Sequence, residues 1–341
     1  MKFNSPFIKG LLSILLFFSI LIGVLLVVEF YFRLPSIPLS YTKVQPTSPL
    51  KPHPILGYQL NDDGVYECSF YFTDNFPPIH SYATLKDGLR LSPVSEGKRD
   101  KFAVFFGDSL TFGEGVNDTE TLPYYFGDFA PEYRPYNFGV PGGSVQNMYY
   151  RLSTEDLNEI IKETSGIGVY WYFGFHTMRL AGAMPYFNIW VDKTACYEME
   201  AGSLVYKGSF REAHPKRSML YDLLYMSRTC HYAGLNLPLR PSPKDFDRAA
   251  IMLLESAQLF KEQFPESIFI VMFMHYEEYY QPIMEYLRSQ GIFVFETTGM
   301  LKSKGLPDFL PDGHMRGEHY KHIAEKLAQK VQDLEAIKSA E

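Results

Sequence analysis

Phe102-Ala-Val-Phe-Phe-Gly-Asp-Ser-Leu-Thr-Phe-Gly113 opens as an apolar run of β type, breaks at Gly107, and presents Asp108 and Ser109 ahead of a second glycine. A serine placed there stands at the C-terminal end of a buried strand, where open α/β sheets bind their ligands. By itself the pattern also describes an ordinary strand followed by a serine-bearing turn. Its meaning depends on what surrounds it.

Downstream, short apolar runs alternate with helix-length stretches. The runs are 102–106, 136–138, 167–173, 268–274 and 292–295; the helical stretches are 144–164, 245–264, 279–290 and 317–336. In the last of these, Ile323, Ala324, Leu327, Val331 and Leu334 recur at helical spacing. Strand and helix in alternation predict an α/β domain with a parallel sheet covered on both faces. Residues 178–244 fit no βα unit and read as an insertion after the third strand, in the loops that shape binding sites.

A serine nucleophile needs a base, a group that orients the base, and donors aimed at the developing oxyanion. Pro311-Asp-Gly-His-Met-Arg316 sets Asp312 and His314 two residues apart just before the final helix, close enough for a carboxylate to hold an imidazole in one tautomer. Asn137-Phe-Gly-Val-Pro-Gly-Gly-Ser144 is a glycine-rich turn that opens a helix, and its backbone N–H groups suit an anion. A plain N-cap at Ser144 would produce the same residues. The third strand ends in Phe173-Gly-Phe-His-Thr177. His275-Tyr-Glu-Glu278, after the fourth strand, reads as solvated surface.

Taken together, these blocks resemble the SGNH or GDSL hydrolases over residues 101–335. Gly107-Asp108-Ser109-Leu110 with Gly113 is similar to the family's first block, and the resemblance implies Ser109 as nucleophile with its own N–H in the oxyanion hole. The turn from Asn137 to Gly143 resembles the second block and implies Gly142 as a further donor. Asp312-Gly-His314 is similar to the last block, which implies Asp312 and His314 as the rest of a triad, although many members space these two three apart. The third block departs from the family pattern: His176 stands where an asparagine donates to the oxyanion, so His176 is the expected third donor with altered geometry, or else it only caps the end of its strand. Asp108 and Asn137 read as supports of their turns. His53-Pro-Ile-Leu-Gly-Tyr58 and Asp87-Gly-Leu-Arg90 resemble phrases in membrane-anchored envelope members and imply nothing catalytic. The resemblance implies a flavodoxin-like three-layer sandwich around a central parallel sheet of about five strands. The implied function is an esterase or acyltransferase acting on an ester, with acylated envelope carbohydrate as the substrate class. A catalytically weakened binding or scaffolding protein is the alternative that His176 suggests.

The run Gly10–Val28 carries no charge until Glu29 and has no cleavage site, so it predicts a transmembrane signal anchor: roughly 20 residues at ~1.5 Å each match a ~30 Å hydrocarbon core. Lys2 and Lys9 ahead of it favour a cytoplasmic N-terminus and a single-pass protein whose catalytic domain is extracytoplasmic. The expected organisation is an anchor at 1–33, a proline-rich linker at 34–54, a β-rich extension of short strands and frequent turns at 55–100 packed on the catalytic domain, and the hydrolase domain at 101–341. A net charge of −7 with no basic cluster excludes a nucleic-acid partner. Cys68, Cys196 and Cys230 form no CxxC pair, and Glu318, His319 and His322 do not reproduce HExxH, so neither a metal nor a cofactor is expected.

Overall fold

β7 (Lys101–Gly107) is the axis of the molecule. Its side chains alternate between two cores: Phe102, Val104 and Phe106 face one, and Ala103 and Phe105 face the other. Because both faces are covered, the strand is apolar throughout instead of alternating with polar residues. Each of its five residues from Phe102 to Phe106 is at most 2% exposed, and complete burial of one such phenylalanine is worth about 1.5–3 kcal/mol.

The computed structural model describes residues 6–31, 41–73, 77–95, 97–274, 280–297, 299–300 and 309–340; the side chains of residues 6–9, 11–12, 25, 28, 30–31, 231–232 and 338–340 are not among those described. The chain begins with α1 (Pro6–Tyr31) and continues through β1 (Tyr41–Val44), β2 (Leu50–His53), β3 (Gly57–Leu60), β4 (Gly64–Phe72), β5 (Ile79–Lys86) and β6 (Leu89–Arg90). After β7 come α2 (Ser109–Phe112), α3 (Leu122–Phe129), β8 (Tyr133–Gly139), α4 (Val145–Thr154), β9 (Ser165–Tyr172) and α5 (Gly174–Leu180). Residues 181–242 build a small body from α6 (Met184–Tyr186), a hairpin of β10 (Ala195–Glu200) and β11 (Ser203–Ser209), then α7 (Phe210–Ala213), α8 (Pro215–Tyr225) and α9 (Arg228–Tyr232). The chain closes with α10 (Pro243–Gln263), β12 (Glu266–Phe273), α11 (Gln281–Ser289), β13 (Phe293–Glu296) and α12 (Gly317–Ala340).

The principal sheet has nine strands in the order β1-β4-β5-β6-β8-β7-β9-β12-β13. From β8 to β13 the pairing is parallel, and numbered among themselves these five strands run 2-1-3-4-5, a doubly wound order whose chain reverses direction between the first and third strands. The expectation of a central sheet of about five parallel strands is corrected: β6, β5, β4 and β1 extend the same sheet with antiparallel pairing, beginning where Arg90 faces Asn137. The turn-rich composition of residues 55–100 marks hairpin strands of this sheet. Helices α4, α10 and α11 cover one face, and α3 and α12 the other. α10 starts where sequence chemistry places a start, at Ser242 with Pro243 next and the Asp245 carboxylate accepting from the Ser242 N–H at 2.8 Å.

The transmembrane anchor is also corrected. Among the described residues no helix is long and apolar enough to cross a membrane. The end of α1 is instead tied to the globular part, because the Glu29 carboxylate accepts from the N–H groups of Arg228 and Thr229 and from the hydroxyls of Ser227 and Thr229. The single-pass, extracytoplasmic placement rested on that anchor and is withdrawn with it. Lys2 and the 275–278 cluster lie outside the described residues.

Candidate active site

Ser109 is the first residue of α2, immediately past the end of β7, and is 8% exposed. Its hydroxyl makes no hydrogen bond among the described residues. Asp108 caps the helix: its Oδ1 accepts from the Leu110 N–H at 3.0 Å, which fixes how the chain turns out of the strand.

Beneath that turn lies a buried ionic group. Asp108 Oδ2 is 2.9 Å from Arg179 Nη1 and 3.3 Å from His176 Nε2. Arg179 Nη1 also donates to the Gly143 carbonyl at 2.7 Å, so it joins the first-strand turn to the second-strand turn. Burial by itself would raise the Asp108 carboxyl; His176, Arg179 and the Leu110 N–H outweigh burial and hold it well below the usual carboxylate range. Burial lowers the His176 pKa against the pull of Asp108, and Arg179 lowers it further. The Phe173 N–H donates to His176 Nδ1 at 3.3 Å, with the Tyr170 hydroxyl at 3.0 Å from the same nitrogen. Nδ1 is thus the acceptor, which assigns the ring proton to Nε2, 3.3 Å from Asp108 Oδ2 but not aligned for a hydrogen bond with it.

The other side of the turn receives the C-terminal loop. His314 Nδ1 is 3.0 Å from Asp312 Oδ2, and His314 Nε2 is 3.6 Å from Glu114 Oε2. Glu114 follows α2, and its N–H donates to the Ser109 carbonyl at 2.9 Å. Lys43, from β1, lies 2.7 Å from Asp312 Oδ2 and 2.5 Å from Glu114 Oε1. Burial would lower the His314 pKa, but the two carboxylates outweigh it and raise the ring above its ordinary value. Asp312 is pushed up by burial and brought well below the carboxylate range by His314 and Lys43. The structure brings Asp312 and His314 together and sets them beside the turn that follows Ser109. No hydrogen bond joins Ser109 to His314 among the described residues.

Gly142 adopts φ +74°, and its N–H has no backbone partner among the described residues. A Cβ at this position would fall 2.2 Å from the Trp190 ring, so the tryptophan lies flush on the glycine. Trp190 belongs to residues 181–242, and its ring centroid is 5.3 Å from that of Tyr58, so an aromatic wall covers the turn. Ser144 caps α4 as its position suggested, with its hydroxyl donating to the His176 carbonyl at 2.9 Å. Asn137 holds the α2 end through the Thr111 and Phe112 carbonyls at 3.1 and 3.2 Å.

Sequence reasoning missed Lys43, Glu114, Arg179 and Trp190. Arg179 alone carried a local signal, since it follows His176 by three residues and so shares a helix face with it. Lys43 is 269 residues from Asp312, a separation no local pattern bridges.

No protein-family model and no curated protein sequence matches the chain. Solved structures overlap with it loosely. A lipolytic protein of the G-D-S-L family from Desulfitobacterium hafniense covers 67% of this chain and 98% of its own at 16% identity, with a TM-score of 0.36. A member of the lipolytic G-D-S-L family from Veillonella parvula covers 67% and 97% at 14% identity, TM-score 0.38. A catalytic mutant of the acetylxylan esterase Axe2 from Geobacillus stearothermophilus covers 69% and 95% at 11% identity, TM-score 0.37. Overlaps this loose carry no argument about function, which has to come from the site's own geometry.

Proposed function

We propose that the chain is a serine esterase of the SGNH type, acting on an acyl ester through Ser109, His314 and Asp312. The supporting observation is the placement of the Asp312–His314 pair, 3.0 Å apart, against Glu114, whose N–H is bonded to the carbonyl of Ser109 itself. In this reading Ser109 Oγ attacks the acyl carbonyl carbon while His314 Nε2 takes the hydroxyl proton, and Asp312 holds Nδ1–H and stabilises the imidazolium. The Ser109 and Gly142 N–H groups receive the oxyanion. The proton then passes to the departing alcohol, and water, or an acceptor hydroxyl in a transferase, releases the acyl group from Ser109. His314 must exchange Glu114 for Ser109 at Nε2, a tightening that catalytic hydrogen bonds often await until substrate binds. His176 enters this reading as the support of Asp108, because its Nε2 lies 3.3 Å from that carboxylate. The wall of Trp190 and Tyr58 suits a sugar ring, which makes an acylated carbohydrate the proposed substrate class.

A second reading, a binding protein that keeps the cleft and has lost efficient chemistry, is favoured by His314 Nε2 lying 3.6 Å from Glu114 with no hydrogen bond to Ser109 among the described residues. Labelling of the intact chain with a fluorophosphonate separates the two. The esterase reading expects labelling of the wild type and none of Ser109→Ala. Folded wild type that does not label, or equal labelling of both, refutes it.

A further inference from the structure

The cysteine spacing gives no metal site, yet the hairpin of residues 181–242 assembles one. Cys196 and Glu198 lie two apart on β10 and so share a face of the strand, and the β10–β11 register shifts between Ala195 and Tyr197, around Cys196. Bulges of this kind re-aim a side chain. His214, between α7 and α8, is brought to the same point with its ring packed on Phe210 at 4.6 Å between centroids.

The three groups converge on a single atom. His214 Nε2 is 3.8 Å from Cys196 Sγ and 3.2 Å from Glu198 Oε1, and all three ligand atoms lie within 4.8 Å of one another. A proton on Nε2 accounts for the Glu198 contact as a histidine–carboxylate pair but leaves the thiol only a weak sulfur contact at 3.8 Å; a proton on Nδ1 lets the ring accept from the thiol and turns a lone pair toward the carboxylate. A cation satisfies all three at once. Zinc bonds of ~2.3 Å to sulfur and ~2.0–2.1 Å to nitrogen or oxygen, at the tetrahedral angle, place sulfur about 3.6 Å from nitrogen and nitrogen about 3.3 Å from oxygen. The observed separations match both edges.

We infer that Cys196, Glu198 and His214 form a zinc-class metal site, with the fourth coordination position open to water. Thiolate, imidazole and carboxylate together suit zinc rather than calcium or magnesium. Glu198 and His214 line a cleft of about 650 Å³ beside Arg217, Ser242 and Asp245, which gives the ion an entry path, and Cys196 lies behind them at 5% exposure. Burial pushes the Cys196 thiol up to about 11 against the opposing pull of Arg248 and Arg217, so the ion itself has to supply the charge that ionises it. The other carboxylate–histidine group, Glu114, Asp312 and His314, already holds the Lys43 ammonium and needs no ion. Bound metal would fasten the hairpin to the α7–α8 junction. That hairpin leads back to Trp190, because the Thr194 hydroxyl donates to the Trp190 carbonyl at 2.5 Å and the Phe210 N–H to the Thr194 carbonyl at 3.0 Å.

The test is titration of the intact, reduced chain with Co²⁺ as a spectroscopic probe, followed by displacement with Zn²⁺. The expected result is a thiolate-to-cobalt charge-transfer band that saturates at about one ion per chain and is absent in Cys196→Ser. Glu198→Gln, whose side chain is partly exposed and whose loss leaves the core intact, should weaken binding by about tenfold or more. Glu114→Gln should leave it unchanged. The inference is overturned if folded wild type shows no such band, if Glu198→Gln binds as tightly as wild type, or if binding follows Glu114 and survives in Cys196→Ser.

Discussion

Replacing Lys43 by methionine removes the one cation that faces His314 from β1 and leaves both carboxylates in place. Lys43 Nζ is 2.7 Å from Asp312 Oδ2, which is 3.0 Å from His314 Nδ1, so the ammonium stands no more than about 5.7 Å from the ring. At that distance a unit charge is worth about 3 kcal/mol at an effective dielectric of ~20 and about 0.7 kcal/mol in bulk water. The four side chains are between 13% and 25% exposed, so partial screening sets the value near 1.5 kcal/mol, or about one pKa unit. The sign follows from charge: losing a cation favours the imidazolium, so the His314 pKa rises further. Glu114→Gln removes an anion 3.6 Å from Nε2 and must move it the opposite way. Two assays read the shift. In a pH profile of kcat/KM on an aryl acetate, the acid limb should move up by about one unit in Lys43→Met and down in Glu114→Gln. Histidine NMR titration reads the same midpoints without requiring turnover. A midpoint that stays or falls in Lys43→Met, or moves in the same direction in both variants, refutes the electrostatic account of this cluster.

Other outcomes follow from the same geometry. Asp108→Asn breaks a fully buried pair with Arg179 and should cost about 3–5 kcal/mol in urea unfolding at neutral pH. Because the Asp108 pKa is depressed in the fold, its contribution is present above the unfolded carboxyl value of about 3.9 and lost as pH falls through its folded value, so the gap between wild type and variant should narrow in acid. His314 has the opposite linkage: its raised pKa supplies stability that is complete below about 6.5 and lost as pH rises through the folded value, a component that should vanish in unfolding curves of His314→Gln. Gly142→Ala should lower Tm and activity together, since φ +74° and the Trp190 ring at 2.2 Å both oppose a Cβ; adding Trp190→Ala should recover the overlap and not the dihedral cost of about 1–2 kcal/mol. Arg90→Met should destabilise by about 3–5 kcal/mol in the same unfolding assay, because it leaves the buried Asp118 carboxylate without its cation and takes a donor from the carbonyls of Phe112 and Val116, contacts now made at 3.1, 2.8 and 2.7 Å.

The parallel half of the fold was legible because its signals are local. The apolar runs at 102–106 and 167–173 need no knowledge of their partners, and Asp312 and His314 announce themselves by lying two residues apart. The antiparallel half was legible as a β-rich stretch of short strands but not as part of the same sheet, since β4 and β5 are half exposed and nothing local shows what they pair with. His176 was legible as a departure from a pattern but not as a partner of Asp108, because that pairing depends on which ring nitrogen the Phe173 N–H occupies. The Asp87-Gly-Leu-Arg90 phrase had no visible purpose in the sequence. In the fold its arginine, 2% exposed, knots the end of α2 to the extension.

That continuity of β6 with β8 has a practical side. A fragment begun at Lys101, where the composition changes, would lose the Arg90–Asn137 pairing and, with it, the antiparallel strands that continue the sheet past β8. Such a fragment should pair edge to edge and precipitate as it is expressed, and a graft of the five parallel strands into another protein would carry the same exposed margin. The unit to produce or move should therefore include β1 to β6.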